Sequence, residues 1–493
     1  MSLTLQACQH LDVQDPLRPL RDLFDIPPGM IYLDGNSLGA LPRATAPRLQ
    51  AVVQQEWGVG LIRSYNTAQW FEQPHLLGDR LAPWLGAGEG EVVVTDTTSV
   101  NLYKVLSVAM AMAAQDRPQQ RVLLSEQGNF PTDLYMAESL CAQHGWQLRC
   151  VPAGELAQHL TPEVGVLMLT HVHYRTGAMW DMGLWSQRAH DVGALAVWDL
   201  AHSAGAVPLA LKADHADFAV GCGYKYLNGG PGAPAFVWAH PDHLHRAQQP
   251  LSGWWGHAQP FAFVPSYAPA PGMGRFLCGS QSVLAMAALG CGLAAFEHSL
   301  PLGGMAALRQ KSLALTDAFI GLVQTHCAGH GLVLETPLAH AQRHRFRALG
   351  AVVAHAFQAE GVIGAVEGFR FTSHLLALRF EGLRKPVQKG QFGVGQGLQR
   401  AGGVITRDTG VRRIRLQPRF GDHGVEAVVA QIGHDVHTLQ ARLARENVEA
   451  GLVEFHIQRE SRAVLALLQG VGLHHLIRQH GDFVARHVHR GQP

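Results

Sequence analysis

Three residues in two small-residue segments of this chain have a spacing that suits cofactor chemistry. Asp199 ends the apolar run 194–198, and His202 follows three residues later. Lys225 stands 26 residues after the aspartate, between two tyrosines and just before a loop rich in Gly, Asn and Pro. A lysine amine can form a Schiff base with pyridoxal phosphate, and a carboxylate can pair with the protonated pyridine nitrogen so that the ring accepts electrons. The pattern therefore predicts pyridoxal phosphate; the alternative is a surface lysine and a helix-capping aspartate.

Two further segments offer groups for a phosphate and for a planar ring. Thr97 and Thr98 precede an apolar helical segment, and the free N–H groups of a helix start favour an anion. The alternative for these threonines is ordinary N-capping. Phe130 could stack on a ring or lie in the core, and Trp254 could donate its indole N–H to a phosphate or simply pack. In this order along the chain, these residues favour one shared crevice.

The elements that must position these residues alternate between strands and helices. Short apolar, β-branched runs predict strands at 90–96, 121–126, 164–172, 194–200, 216–223 and 234–240. Helical segments are predicted at 99–115, 131–145, 184–193, 281–298 and 302–325. This alternation predicts an α/β fold, a mainly parallel sheet covered by helices, with ligands beyond the carboxyl ends of its strands. Most candidate residues stand at such ends: Thr97, Thr98, Phe130, Thr170, Asp199, Tyr224 and Lys225.

Composition narrows the class of protein. With 493 residues, the chain is long enough for two or three domains or for one large enzyme subunit, and its 47% hydrophobic and 16% charged content predicts a globular, soluble protein. No apolar run of about 18 residues occurs, so we expect no transmembrane helix. Residues 1–20 are polar and acidic where a secretory signal has a basic start and an apolar core. The seven cysteines form no CxxC pair, which fits a reducing compartment and predicts a cytoplasmic protein.

The chain changes character near residue 340. Residues 341–493 hold nineteen arginines and two lysines against twelve acids, whereas the remainder is acidic overall. A basic tail can indicate nucleic-acid binding, but these charges are scattered, so no nucleic-acid partner is expected. The histidine pairs at 474–475 and at 487 and 489 lack nearby Cys or paired carboxylates, so no metal site is expected.

Nine long motifs carry a family resemblance. They are IYLDGNSLG (31–39), EWGVGLIRS (56–64), VVVTDTTSVNLYKVLS (92–107), NFPTDLY (129–135), MLTHVHYRTG (168–177), WDLAHSAGAVPL (198–209), GCGYKYLNGGPG (221–232), PLSGWWGH (250–257) and FLCGSQS (276–282). The set resembles the bacterial kynureninases over about residues 10–340. The resemblance implies a fold-type-I aminotransferase-like subunit, a homodimer with shared active sites, and hydrolysis of kynurenine or 3-hydroxykynurenine to alanine and anthranilate or 3-hydroxyanthranilate.

The resemblance also implies a role for each matching residue. Lys225 would form the Schiff base, Asp199 would pair with the pyridine nitrogen, and His202 would be a neighbour near the cofactor. The other implied cofactor-binding residues are Thr97, Thr98, Phe130, Pro131, Thr132, Asp133, Thr170, Tyr224, Trp254 and Ser280. Of these, Thr97, Thr98, Tyr224, Trp254 and Ser280 would hold the phosphate, and Trp254 and Ser280 would come from the partner subunit.

The match weakens after residue 340. The family's late arginine, which grips the substrate carboxylate, has no clear counterpart, and Arg370 is only a poor candidate. The predicted organisation is an N-terminal segment of the small domain (1–60), a large cofactor domain (61–300), the start of the small domain (301–340) and an atypical Arg/His/Gly-rich region (341–493). We expect that last region to be disordered or frame-shifted, although divergence is the alternative.

Two other functions fit parts of the sequence. A rewritten C-terminal third would leave a cofactor-binding but catalytically impaired protein. A cysteine desulfurase-like lyase shares the Asp-x-x-His strand end and the lysine, but it needs a mobile cysteine late in the chain. The last cysteine here, Cys327, stands in a helical context, which disfavours that reading.

Overall fold

The structure, a computed structural model, describes residues 4–327 and 334–343, which belong to the compact unit Met1–Arg370. Apart from positions 341–343, the atypical region predicted at 341–493 lies outside the described residues. The α-helices in the described part are α1 Leu5–Gln14, α2 Thr45–Ala51, α3 Ser64–Thr67, α4 Gln73–Leu85, α5 Thr98–Asp116, α6 Pro131–His144, α7 Leu156–His159, α8 Met182–Val192, α9 Pro241–Leu244, α10 Val283–Glu297 and α11 Gly304–His326. The strands there are β1 Val92–Thr95, β2 Val122–Glu126, β3 Gln147–Val151, β4 Val164–Thr170, β5 Leu195–Asp199, β6 Phe218–Gly221 and β7 Ala235–Ala239.

The strands form one sheet in the order β1-β7-β6-β5-β4-β2-β3. Strands β3, β2, β4, β5 and β6 are parallel neighbours, and β7 runs antiparallel to both β1 and β6. The predicted mainly parallel sheet is confirmed. Strand β3 was not predicted: it pairs on one side only and holds Gln147 and Arg149, so it lacks the apolar run of a central strand.

Helices bury both faces of the sheet. Alternate residues of β5 show the division: Trp198 packs into the cluster of buried residues that includes α4, α8 and α10, and Val197 packs into the one that includes α5 and α6. This alternation follows from the two-residue period of a strand. Leu106 of α5 is fully buried, so its replacement by Ala is expected to cost about 2–5 kcal/mol of unfolding free energy.

Strand register places the candidate residues at one edge. Thr170 and Asp199 are paired directly across β4 and β5, so both strands end together. Strand β6 runs parallel to β5 and ends at Gly221, four residues before Lys225. The carboxyl ends of parallel strands meet at one edge, which is where the predicted crevice must lie.

One stretch of the described residues, Val283–Leu302, is long and apolar enough to cross a membrane by length and composition alone. Half of it is buried within the fold, and it includes α10, whose Met286, Leu289 and Leu293 belong to the core. Core helices of soluble proteins meet the same criteria. The absence of a membrane partner therefore stays a prediction.

Candidate active site

Lys225 lies buried at the carboxyl edge of the sheet, with 8% of its surface exposed. Its Nζ is 2.9 Å from Nε2 of His202, which stands in the turn after β5. The same Nζ lies 5.6 Å from the ring centroid of Tyr224 and 5.8 Å from that of Phe130. Lys225 Nζ and His202 Nε2 are therefore in hydrogen-bonding contact, and the amine lies close to two aromatic rings, one of which, Phe130, the sequence predicted to stack on a cofactor.

Two buried carboxylates lie beside this lysine. Asp199 accepts a hydrogen bond of 2.8 Å from the backbone N–H of Ala201, and its side chain is hydrogen-bonded to that of Asp133. Burial and the nearby charge of Asp199 raise the pKa of Asp133 well above its usual value. Burial also raises the pKa of Asp199, and the charge of Lys225 opposes that rise. Two neighbouring buried carboxyl groups disfavour ionisation of both, and the pKa of Asp133 is the more strongly raised of the two, while Lys225 favours the ionised form of Asp199.

A hydrogen-bonded chain holds this pair against the next strand. Thr170 Oγ1 lies 3.3 Å from Asp133 Oδ2 and also contacts Asn129 Oδ1. Asn129 Oδ1 accepts from the backbone N–H of Phe130 at 2.6 Å. Asn129 is a site residue that the sequence interpretation left out, although it stands directly before the predicted Phe130. Its amide fixes where α6 begins, and therefore where Phe130 lies.

The first turn of α5 fits an anion. Thr97 is the N-cap, and its Oγ1 accepts from Val100 N at 3.3 Å, so the capping alternative holds for this residue. Thr98 Oγ1 is buried and has no hydrogen-bond partner within residues 4–327 and 334–343. Burial raises the pKa of Tyr224 to about 12, which keeps its phenol protonated as a donor. An orphaned hydroxyl at a 19-residue helix start fits the phosphate that the sequence predicts there.

The remaining predicted residues lie nearer the surface. Pro131 and Thr132 are in the first turn of α6, behind Phe130. Trp254 is 41% exposed and packs against the rings of Phe71 and Phe261, and Ser280 is exposed. The contribution of Trp254 and Ser280 from a partner subunit stays a prediction.

The N-terminal motif 31–39 supports the lysine loop. Gly39 N donates to Tyr224 O at 2.8 Å. A Cβ on Gly39 would lie 2.2 Å from Lys225 O and 2.5 Å from Asn228 Oδ1, so a larger residue cannot fit without displacing the loop. The motif that carried the resemblance at this point therefore positions Lys225.

The last described segment lies against α11. Arg343 is buried, pairs with Asp317 of that helix, and donates to Leu338 O at 3.1 Å. Arg343 therefore attaches this segment to α11 through its ion pair with Asp317. The poor candidate for the carboxylate clamp, Arg370, lies outside the described residues.

Comparison with known proteins places this geometry in a family. The aminotransferase class-V family model matches residues 31–326. Kynureninase of Burkholderia pseudomallei (strain 1106a) is 54% identical over 369 residues, which is 73% of this chain and 88% of that protein. Kynureninase of Pseudomonas fluorescens is 52% identical over 368 residues, with the same two coverages.

Solved structures confirm the fold. A cysteine desulfurase from Thermococcus onnurineus NA1 matches with a TM-score of 0.54 and 18% identity, over 66% of this chain and 80% of that one. The cystine C–S lyase C-DES, in complex with cysteine persulfide, matches with a TM-score of 0.53 and 19% identity, over 60% and 78%. At these identities the likeness concerns the fold alone.

Proposed function

Since the chain belongs to the kynureninase family within the class-V aminotransferases, we propose that its carboxyl-edge crevice cleaves kynurenine with pyridoxal phosphate. The observation that carries the assignment to this crevice is the buried Lys225, 2.9 Å from His202 and beside the hydrogen-bonded carboxyl pair Asp133–Asp199. Kynurenine and water would give anthranilate and alanine by cleavage of the Cβ–Cγ bond.

The residues present fit the cofactor at each of its ends. Lys225 would hold it covalently through the amine, Phe130 would lie against the ring, and Asp199 would face the ring nitrogen. Thr98 and the first N–H groups of α5 would hold the phosphate, since that hydroxyl is buried without a partner in the described part of the chain. When bound, pyridoxal phosphate supplies an electron-accepting ring that stabilises negative charge at the substrate carbon.

Side chains of this protein hold and transfer the protons that the reaction requires. The raised pKa of Asp133 favours its neutral form, so that Asp199 can carry the charge that stabilises a cationic ring nitrogen. The 2.9 Å contact between Lys225 Nζ and His202 Nε2 orients the amine. Once that amine is free, Lys225 can take the proton from the substrate's α-carbon.

We further propose a cytoplasmic homodimer. All seven cysteines lie within the described residues and are free thiols, which agrees with a reducing compartment. Trp254, Phe261 and Phe263 form an exposed aromatic cluster, with 41%, 65% and 82% of their surfaces exposed. A second subunit would cover such a cluster, and one member of the cluster, Trp254, is predicted to reach the partner's phosphate. Sedimentation of the full chain should give a dimer, and the double variant F261S/F263S should shift it towards monomer.

The function is tested with the purified full chain and pyridoxal phosphate. We expect the visible absorption band of lysine-bound cofactor and release of fluorescent anthranilate from kynurenine. The band without anthranilate would instead support the catalytically impaired protein. Release of sulfide from cysteine would support a lyase, which the geometry disfavours because Cys327 is held as the C-cap of α11 and not on a mobile loop.

A further inference from the structure

A second buried lysine lies near the phosphate cradle, the helix start formed by Thr97 and Thr98. This lysine is not one of the residues predicted to bind the cofactor. Lys104 of α5 has a fully buried side chain. Its Nζ lies 2.5 Å from Asp96 Oδ2 and 2.5 Å from the backbone oxygen of Phe276. A buried ammonium is stable only when it is paired and hydrogen-bonded, so this lysine is held by both contacts.

Asp96 is the residue that turns the chain from β1 into the cradle. Its φ of +47° is in the left-handed region, which a non-glycine residue keeps only where its surroundings enforce it. Three contacts do so here: Thr95 Oγ1 donates to Asp96 Oδ2 at 2.8 Å, Ala235 N donates to Asp96 O at 2.9 Å, and Lys104 binds the carboxylate. The next two residues, Thr97 and Thr98, form the helix start that fits the phosphate.

The same cluster joins a second loop to the cradle. Phe276, whose carbonyl accepts from Lys104, begins the segment 276–282 that contains the predicted phosphate ligand Ser280. Thr95 Oγ1 also lies 3.2 Å from Gln281 Oε1 of that segment. Lys104 therefore connects this chain's own helix start at Thr97 and Thr98 with a segment whose Ser280 is predicted to reach the partner's phosphate.

Charge gives Lys104 a second effect. The Asp96 carboxylate is 28% exposed and precedes Thr97 directly, so without compensation it would repel a phosphate dianion at the helix start. Lys104 neutralises that carboxylate from the protein side. The ammonium leaves the N–H groups and hydroxyls of the cradle free for the ligand.

We propose that Lys104 is a positioning residue for the phosphate of the cofactor: it holds the left-handed turn at Asp96 and cancels its charge. This inference rests on the proposed function, since it concerns the same cofactor. It predicts selectivity: removal of the ammonium should weaken binding of the phosphate group and leave the contacts to the ring and aldehyde intact.

The test titrates apoprotein with pyridoxal phosphate and, separately, with pyridoxal, which lacks the phosphate. Binding is followed by the absorption band of the lysine-bound form. For Lys104→Met we expect the Kd of pyridoxal phosphate to rise at least tenfold and the Kd of pyridoxal to stay within twofold of wild type. Lys212→Met is the matched control, because it removes an exposed lysine paired with Glu91 at 2.8 Å, and should change neither Kd.

Further variants keep the proposal falsifiable. Lys104→Gln retains an N–H donor for Phe276 O and should show the same selectivity with a smaller rise in Kd, including when Lys104→Met does not fold. The double variant D96N/K104M should regain part of the lost affinity, since it removes the repelling carboxylate. Equal weakening of both ligands, or no weakening of either, would overturn the proposal. Failure of wild type to form the band with pyridoxal phosphate would instead contradict the proposed function.

Discussion

Two buried aspartates at opposite ends of neighbouring strands have opposite electrostatics. Asp199 ends β5 beside Lys225, and burial raises its pKa. Asp217 comes just before β6, where it accepts from His190 Nε2 at 2.8 Å, His243 Nε2 at 2.6 Å and Ala196 N at 2.7 Å. Burial opposes ionisation of Asp217 too, but these hydrogen bonds outweigh it, so its pKa lies below its usual value.

The two aspartates differ in how completely hydrogen bonds and nearby charges compensate their burial. Asp217 has a donor for each oxygen and ties α8 and α9 to the sheet, so its charge serves the fold. Asp199 is hydrogen-bonded to a second carboxyl group, that of Asp133, and Lys225 compensates its burial only in part. A carboxylate whose burial is incompletely compensated can gain a cation from a ligand, which is how perturbed groups mark functional sites.

The largest expected effect comes from removing the cation beside Asp199. Lys225→Ala should abolish the visible cofactor band and lower kcat by about 10³-fold or more, because no other amine holds the cofactor or takes the α-proton. Absorbance and anthranilate fluorescence measure both effects. Lys212→Ala, at an exposed ion pair, is the control and should keep both. A band retained in Lys225→Ala would disprove the assignment of this lysine.

Exchanging each aspartate for asparagine tests the contrast directly. Asp199→Asn should lower kcat/KM by about 10²-fold or more, through loss of a charge aimed at the cofactor, without loss of stability. Asp217→Asn should instead lower the free energy of unfolding by about 1–3 kcal/mol, because its NH₂ group cannot accept from the histidines. Urea unfolding and steady-state kinetics separate the two.

The control for these variants is Asp242→Asn, at a carboxylate that is 85% exposed and should be neutral in both measurements. Two outcomes would contradict the proposed difference between the two aspartates. One is that Asp217→Asn loses activity but keeps its stability, and the other is that Asp199→Asn unfolds.

A glycine substitution tests the support of the lysine loop. Gly39→Ala should lower the free energy of unfolding by about 1–3 kcal/mol and weaken cofactor binding, since its Cβ would overlap Lys225 O. Gly35→Ala, in the same motif, has no atom within 4 Å of its Cβ and is expected to stay within about 0.5 kcal/mol of wild type. Equal effects of the two variants would show that the close approach at Gly39 has no role.

The smallest expected effect is a pH dependence at the Asp217 end. The hydrogen bond with Asp217 raises the pKa of His190 above 6.5, so the stability it contributes is complete below pH 6.5 and is lost as pH rises through the folded value. The lowered pKa of Asp217 gives stability that is complete above pH 3.8 and is lost as pH falls through its folded value. The penalty of Asp217→Asn should therefore be larger at pH 5 than at pH 8.5 in urea unfolding. A penalty that does not vary with pH would show that the charge of Asp217 does not contribute to this stability.

The sequence predicted the catalytic end of the sheet better than the opposite end. Asp199 and Lys225 stand at strand ends that the alternating pattern reveals, and long motifs surround them. Three separate segments of the chain contribute Asp217, His190 and His243. In the sequence, each of these residues looks like an ordinary surface residue, and only the fold brings them together. The raised pKa values of Asp133 and Asp199 were equally hidden, because they depend on burial and on the distance between the two carboxyl groups.

The hydrogen bond between Gly39 and Tyr224 also constrains the order of folding. It joins a segment near the N-terminus to the loop after β6, with most of the sheet between them in the sequence. Because closing such a long chain segment is slow, we expect the lysine loop to reach its final position only after the central strands have paired. Capture of the cofactor should then be a late kinetic event, and the rate at which a refolding chain gains its visible band should report docking of the N-terminal motif.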